Sequence, residues 1–217
     1  TDMLDANMKF IRLYQFMMLP GTQSTTKETR EKWQYTTRYR VLPRCFGTYR
    51  FRDHKFPIAE IEEICVAHKT MPYEDYQACR SFDLTVEIFN NDSILADLMN
   101  FLRLNNIKRS ELILKIHELS LKHKTFSKFY DEFNKEEKDN LTDNPDVLED
   151  FAKKPGIIEQ YIDGTYGTNE LYKFRAIAVF HHIKELHEIA YEAAKYILNK
   201  NNMFNEKVQN YLEELFD

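Results

Sequence analysis

Apolar and polar positions follow two different rhythms along this chain, and the rhythm changes near residue 71. Before that point the pattern is one of short apolar blocks and alternation. Residues 2–7 read as the last turn of a helix. The run at residues 9–19 (K-F-I-R-L-Y-Q-F-M-M-L) is short, nearly continuous in apolar character and stopped by Pro20-Gly21. A strand buried on both faces reads this way, and parallel sheets favour such strands. A parallel strand needs a neighbour, so this reading carries the expectation that sequence upstream supplies one. Thr26 is placed to cap a short helix over residues 27–33, with Glu28 and Glu31 in the turns where the helix dipole favours acids. Residues 37–42 alternate and predict a strand. Residues 61–67 predict another, with Ile61, Glu63 and Cys65 on one face and Glu62, Ile64 and Val66 on the other.

From Met71 onward the period is helical. Pro72 suits the first position of a helix, and Cys79, Phe82, Val86 and Phe89 recur at spacings of three and four, which predicts Cys79 as a core thiol. Ile94, Leu95, Leu98, Met99 and Leu102 resume the pattern after Asn90-Asn91-Asp92. Ser110 is the expected cap of the next helix, with Leu112, Ile116 and Leu119 on one stripe. Residues 134–156 are rich in charge and Asn, with Pro145 and Pro155, and predict a solvated connection holding a short helix at 147–153. A long helix is expected over about 170–199, where Val179, Ile183, Leu186, Ala190, Ala193 and Ile197 form a bundle-packing stripe. A final helix is expected over 206–216.

Composition sharpens this picture. The 217 residues are 43% hydrophobic, enough for one packed domain or one and part of a second, and five Gly and six Pro are too few for a protein built of tight hairpins. The net charge of -5 weighs against nucleic acid as a general partner. No run of 18 or more apolar residues exists to span a membrane, and the first residues lack the pattern of a signal peptide. Cys45, Cys65 and Cys79 are sparse and odd in number, which points to a reducing, cytoplasmic setting.

Candidate chemistry concentrates in residues 30–55. Arg30, Lys32, Arg38, Arg40, Arg44, Arg50, Arg52 and Lys55 are interleaved there with Trp33, Tyr35, Tyr39, Phe46, Tyr49 and Phe51. Three readings fit: a solvated strand face with ordinary ion pairs, a site for an anionic substrate or cofactor, and a nucleic-acid contact. Elsewhere His181, Glu185, Glu188 and Glu192 share one helix face, yet that face lies away from the apolar stripe and lacks the paired Glu-x-x-His of a bundle metal site. The cysteines stand too far apart for an iron–sulfur loop. No P-loop, G-x-S-x-G, H-E-x-x-H or dinucleotide glycine pattern is present.

A series of short motifs carries a family resemblance: L-P-G-T (19–22), R-E-K (30–32), R-V-L-P-R-C-F-G (40–47), A-E-I-E-E-I (59–64), T-M-P-Y-E-D-Y (70–76) and L-T-V-E-I-F-N-N-D (84–92). In this order they resemble the downstream part of radical S-adenosylmethionine (radical SAM) enzymes of the cobalamin-binding branch. The resemblance covers residues 1–92. It implies an α+β fold, the end of a partial β/α barrel followed by a mainly helical C-terminal region. Residues 1–68 would hold the last strand and closing segment, and 69–217 a helical domain.

The resemblance further implies S-adenosylmethionine, a [4Fe–4S] cluster and cobalamin as cofactors of a longer enzyme. This chain has no C-x-x-x-C-x-x-C loop, so it would be inactive alone. Its partner would be an upstream barrel and cobalamin domain of the same polypeptide. Barrel active sites gather at the C-terminal ends of strands, which singles out Gln15, Met17, Leu19 and Gly21 as wall positions toward a cofactor. Arg38, Arg40 and Arg44 are the candidates for a substrate anion. The alternative is a free-standing helical interaction module presenting the 179–197 stripe or the basic segment.

Overall fold

Residues 1–216 are described by a computed structural model. In chain order they form α1 (Asp2–Asp5), β1 (Phe16–Met17), α2 (Lys27–Trp33), β2 (Thr36–Phe51), β3 (His54–Ala67), α3 (Tyr73–Phe89), α4 (Ala96–Leu104) and α5 (Arg109–Ser120). Then follow α6 (Lys124–Asp139), α7 (Pro145–Ala152), α8 (Ile157–Ile162), α9 (Glu170–His181), α10 (Ile183–Lys200) and α11 (Glu206–Phe216). The class is α+β. Among the described residues no helix is long and apolar enough to cross a membrane.

The chain divides into two compact units. Unit 1 holds Thr1–Leu13, Ser81–Phe133 and the chain from Phe174 on; unit 2 holds Tyr14–Arg80 and Asn134–Lys173.

Unit 1 is helical. Alanines at 190, 193 and 194 let α10 lie close on α5, and Leu186 and Ile197 are buried with Leu112, Ile113 and Ile116. Phe126 is fully buried among aromatic rings, with Phe89 at 6.3 Å, Phe129 at 5.3 Å and His182 at 6.2 Å between centroids. His182 breaks the long helix expected over 170–199. It sits at φ -131°, between α9 and α10, with its ring against Phe126 and Phe129. Ser110 does not cap α5: Lys108 holds that position, and the Ser110 amide donates to Asp5 Oδ1 at 3.0 Å.

Unit 2 is built on an antiparallel sheet of order β1-β3-β2. The two predicted strands are the paired ends of one long hairpin, turned by the two residues Arg52-Asp53 with Arg52 at φ 54°. The outer half, from Phe46↔Ala59 to Phe51↔His54, lies beyond a register shift between Val41 and Phe46, where Arg44 has φ 67°. α7 and α8 pack on the hairpin, where Val41, Ile157 and Tyr161 form a cluster with Phe46, Ala59, Leu148 and Phe151. Ile64, Val66 and Tyr76 form a second cluster. Thr26 caps α2, its side chain accepting from the Thr29 amide, as expected.

Three further expectations need correction. Residues 9–19 are not a buried parallel strand: only Phe16 and Met17 join the sheet, antiparallel to β3, and Tyr14 is 80% exposed. In unit 1, Asn91 instead brackets Ile11, accepting from its amide at 3.0 Å and donating to its carbonyl at 2.9 Å. Cys79 is exposed rather than a core thiol. The buried side of α3 there runs through Tyr76, Arg80, Asp83 and Leu84, so two charged residues occupy positions that hydropathy assigns to the outside. The helix α6 also carries order to Asp139, into residues that read as a connection.

Replacing Phe126 by Ala removes a ring with no exposed surface. It should destabilise the protein by about 3–5 kcal/mol, measured as a shift of the urea midpoint with an unchanged slope.

Candidate functional site

Antiparallel pairing puts directly opposite residues on the same face of a sheet. In unit 2 it sets Arg40 of β2 opposite Glu62 of β3. The pair is joined by Arg40 Nε donating to Glu62 Oε1 at 2.6 Å, and Glu62 is buried. The start of α9 brings Glu170 to the same guanidinium, with Oε2 3.8 Å from Arg40 Nη1, beyond hydrogen-bond range. Glu170 Oε1 accepts from Asn140 Nδ2 at 2.7 Å. Beside them Arg80 grips Glu137 with two bonds, Nε to Oε2 at 2.8 Å and Nη2 to Oε1 at 2.6 Å, both residues buried.

Burial pushes the Glu170 carboxyl above the usual carboxylate range, the nearby Glu137 adds to this, and Arg40 opposes it. The Tyr76 hydroxyl is pushed up to about 12, first by burial and then by Glu137. At the edge of the group Arg30 forks onto Glu63 at 2.7 Å on both arms, and this pair holds the Glu63 carboxyl below its ordinary value.

A cleft of about 330 Å³ opens on this charged floor. Arg40, Glu170, Asn140 and Lys173 line it together with Phe151, Tyr161 and Tyr166. Lys173 bonds both oxygens of Glu136, at 2.8 and 2.6 Å. The rim is the loop between α8 and α9. Its Asp163 accepts from both the amide and the hydroxyl of Thr165. Its Gly167, at φ +64°, lies so close to the rings of Tyr161 and Phe46 that an added Cβ would come within 2.6 Å of Tyr161 Cδ1.

The positions singled out from sequence separate here. Arg40 and Arg44 line two clefts that share Tyr161, Tyr166, Gly167 and Lys173, and Arg44 lies 5.7 Å over the Tyr172 ring. Arg38 lies in a different groove, its Nε 2.7 Å from Asp143. Gln15 donates to the Tyr76 hydroxyl at 2.5 Å, Met17 pairs with Ile64, and Leu19 is about half exposed. Gly21 occupies an open turn at φ +82°, with nothing within 4 Å of where a Cβ would stand. None of these four lines the three clefts described. The basic segment is therefore not one patch: Arg30, Arg38 and Arg40 are ion-paired, while Arg50, Arg52 and Lys55 are exposed on the hairpin.

Sequence reasoning missed Glu170, Glu137, Arg80 and Asn140. Only Glu62 left a signal, as a carboxylate on the Ile64–Val66 face of its strand. Among the described residues no group of three or more His, Cys, Asp or Glu side chains is arranged to hold a metal ion. Compared with known proteins, the chain matches no protein-family model and no curated protein.

Arg80→Leu leaves Glu137 charged and buried, and should cost about 3–5 kcal/mol, most of it recovered in Arg80→Met/Glu137→Leu; chemical denaturation measures both. For Glu170 the raised folded value means that the folded state holds the proton more tightly than the unfolded one. Its contribution is therefore present at low pH and lost as pH rises from about 4 through the folded value. Wild-type stability should thus fall relative to Glu170→Gln as pH rises above about 4, read from paired denaturation curves.

Proposed function

We propose that this chain is the C-terminal portion of a radical S-adenosylmethionine enzyme of the cobalamin-binding branch, and that it closes one side of a partial β/α barrel and covers the substrate. The observation that carries the reading is the state of the N-terminal run. Residues 9–19 are apolar enough for an inner strand, yet Phe10, Leu13, Tyr14, Phe16 and Leu19 are exposed and the ladder holds two residues. In unit 2, Tyr14, Phe16 and Leu19 are large exposed apolar side chains beside the sheet edge, and such a feature marks a surface made to be covered. An upstream barrel of the same polypeptide supplies that cover, and the ordered motifs over residues 19–92 support the same assignment.

The cluster-forming chemistry belongs upstream. Cys65 is buried and donates to the Ala67 carbonyl, Cys79 is exposed, and Cys45 lies 20 residues from the nearer of them, so these thiols do not fit a [4Fe–4S] cluster. S-adenosylmethionine and cobalamin would likewise be held by the preceding domains, in a cytoplasmic enzyme whose thiols stay reduced. What this chain contributes is covering surface, with Gln15, Leu19 and Gly21 facing the cofactor side and the Arg40 and Arg44 clefts facing substrate.

The alternative is a free-standing helical interaction module that binds a partner through the 179–197 stripe or the basic segment. Leu186, Ala190, Ala193 and Ile197 of that stripe are buried within unit 1, while Ile183 and, on the hairpin, Arg50, Arg52 and Lys55 are exposed.

The test is the coding sequence ahead of Thr1. It should encode a C-x-x-x-C-x-x-C loop, and the continuous polypeptide, reconstituted anaerobically, should consume S-adenosylmethionine. In it Tyr14→Asp should lower turnover at least tenfold. In the present chain the same change should alter stability by no more than about 0.5 kcal/mol, because Tyr14 is 80% exposed. An upstream frame without the cysteine loop would overturn the proposal.

A further inference from the structure

We infer that the cleft over Arg40 and Glu170 is a binding site for a small neutral polyhydroxylated ligand, of the size of a single sugar or cyclitol ring. The inference concerns the same cleft that the proposed function turns toward substrate, and it is argued only from groups within unit 2.

Size comes first. A volume of about 330 Å³ lies at the low end of small-molecule sites, roughly 300–1,000 Å³. It admits one ring with its substituents.

Charge narrows the class. The lining carries two cations, Arg40 and Lys173, and three carboxyl groups, Glu136, Asp139 and Glu170. Most of these already have partners. Lys173 is held by Glu136, Asp139 is paired with Lys135, and Arg40 Nε is bonded to Glu62. An incoming carboxylate or phosphate would meet Arg40 at the cost of facing the Glu170 oxygen. An incoming ammonium would meet Glu170 at the cost of facing the guanidinium.

One ion pair without a direct hydrogen bond then specifies the functional group. Arg40 Nη1 is a donor, Glu170 Oε2 an acceptor, and 3.8 Å separates them without a hydrogen bond. A hydroxyl both donates and accepts, so one hydroxyl oxygen set beside the pair, at about 2.8 Å from each atom, bonds to both. Neither a carboxylate nor an ammonium can do so. Asn140 adds a side-chain carbonyl whose amide partner is already spent on Glu170, an acceptor for a second hydroxyl. In the same lining Phe151 and Tyr166 meet edge to face at 5.4 Å, and Tyr161 stands 5.6 Å from Tyr166. These rings give an apolar wall for the C–H face of a sugar ring, the half of such a ligand that hydroxyls do not cover.

The site is tested on the whole chain by titration with glucose, galactose, ribose and myo-inositol, with glucuronate and glucosamine as charged comparators. Saturation-transfer NMR reports binding, and the side-chain amide signal of Asn140 reports its location. At least one neutral probe should bind saturably and shift the Asn140 signal. The charged comparators should bind at least about fivefold more weakly, the equivalent of one hydrogen bond. Tyr166→Ala, a change at a partly exposed ring, should weaken the neutral probe by a similar factor while circular dichroism stays unchanged. If that variant fails to fold, the Asn140 shift in the wild-type chain decides. The inference is overturned if no neutral probe binds the folded chain, if a charged comparator binds more tightly, or if binding leaves Asn140 unmoved.

Discussion

Unit 2 is organised around three buried carboxyl groups, Glu62, Glu137 and Glu170, faced by the buried Arg80 and the half-buried Arg40. Taking an ionised carboxylate out of water costs several kcal/mol unless a partner and hydrogen bonds replace the lost hydration. Glu62 and Glu137 each have a bonded guanidinium. Glu170 has an amide hydrogen bond and a cation at longer range, and its proton affinity rises accordingly. The requirement fixes positions far apart in sequence. The β2–β3 register must set Arg40 opposite Glu62, and Arg80 and Glu137, 57 residues apart, must meet with both guanidinium arms aligned. A slip of one residue in the hairpin would turn Arg40 to the other face and leave Glu62 and Glu170 without their cation.

This arrangement explains what could be read from the sequence and what could not. Elements with one dominant local cause were legible. α2 has its Thr26 cap, α11 has a clean apolar period, and the inner ends of β2 and β3 alternate. Elements whose placement depends on remote partners were not. Cys79 matches an apolar stripe, yet the helix turns Arg80 inward because Glu137 waits there. The single helix expected over 170–199 is interrupted because His182 packs against the rings of Phe126 and Phe129, residues more than fifty positions earlier. The outer hairpin escaped notice because its turn, Arg52-Asp53, carries no glycine.

The candidate site was half visible for the same reason. An arginine-rich segment announces anion chemistry, and Arg40 and Arg44 do reach clefts that share a wall. Their companions come from helices read only as solvated or generic. The chemistry changes with the company: a guanidinium already answered by Glu62 and flanked by Glu170 no longer selects for negative charge, and what it recognises is set by the donors and acceptors left over.

Gly167 adds a geometric consequence. Its main chain rests directly on the Tyr161 and Phe46 rings, with no room for even one methyl group between. The approach of the α8–α9 loop to these rings is thus set by bare backbone against an aromatic face. No side-chain exchange at that position can widen or narrow it. Any divergence in what the cleft admits would have to be written on its other lining side chains, among them Asn140, just past the end of α6, and Lys173 of α9.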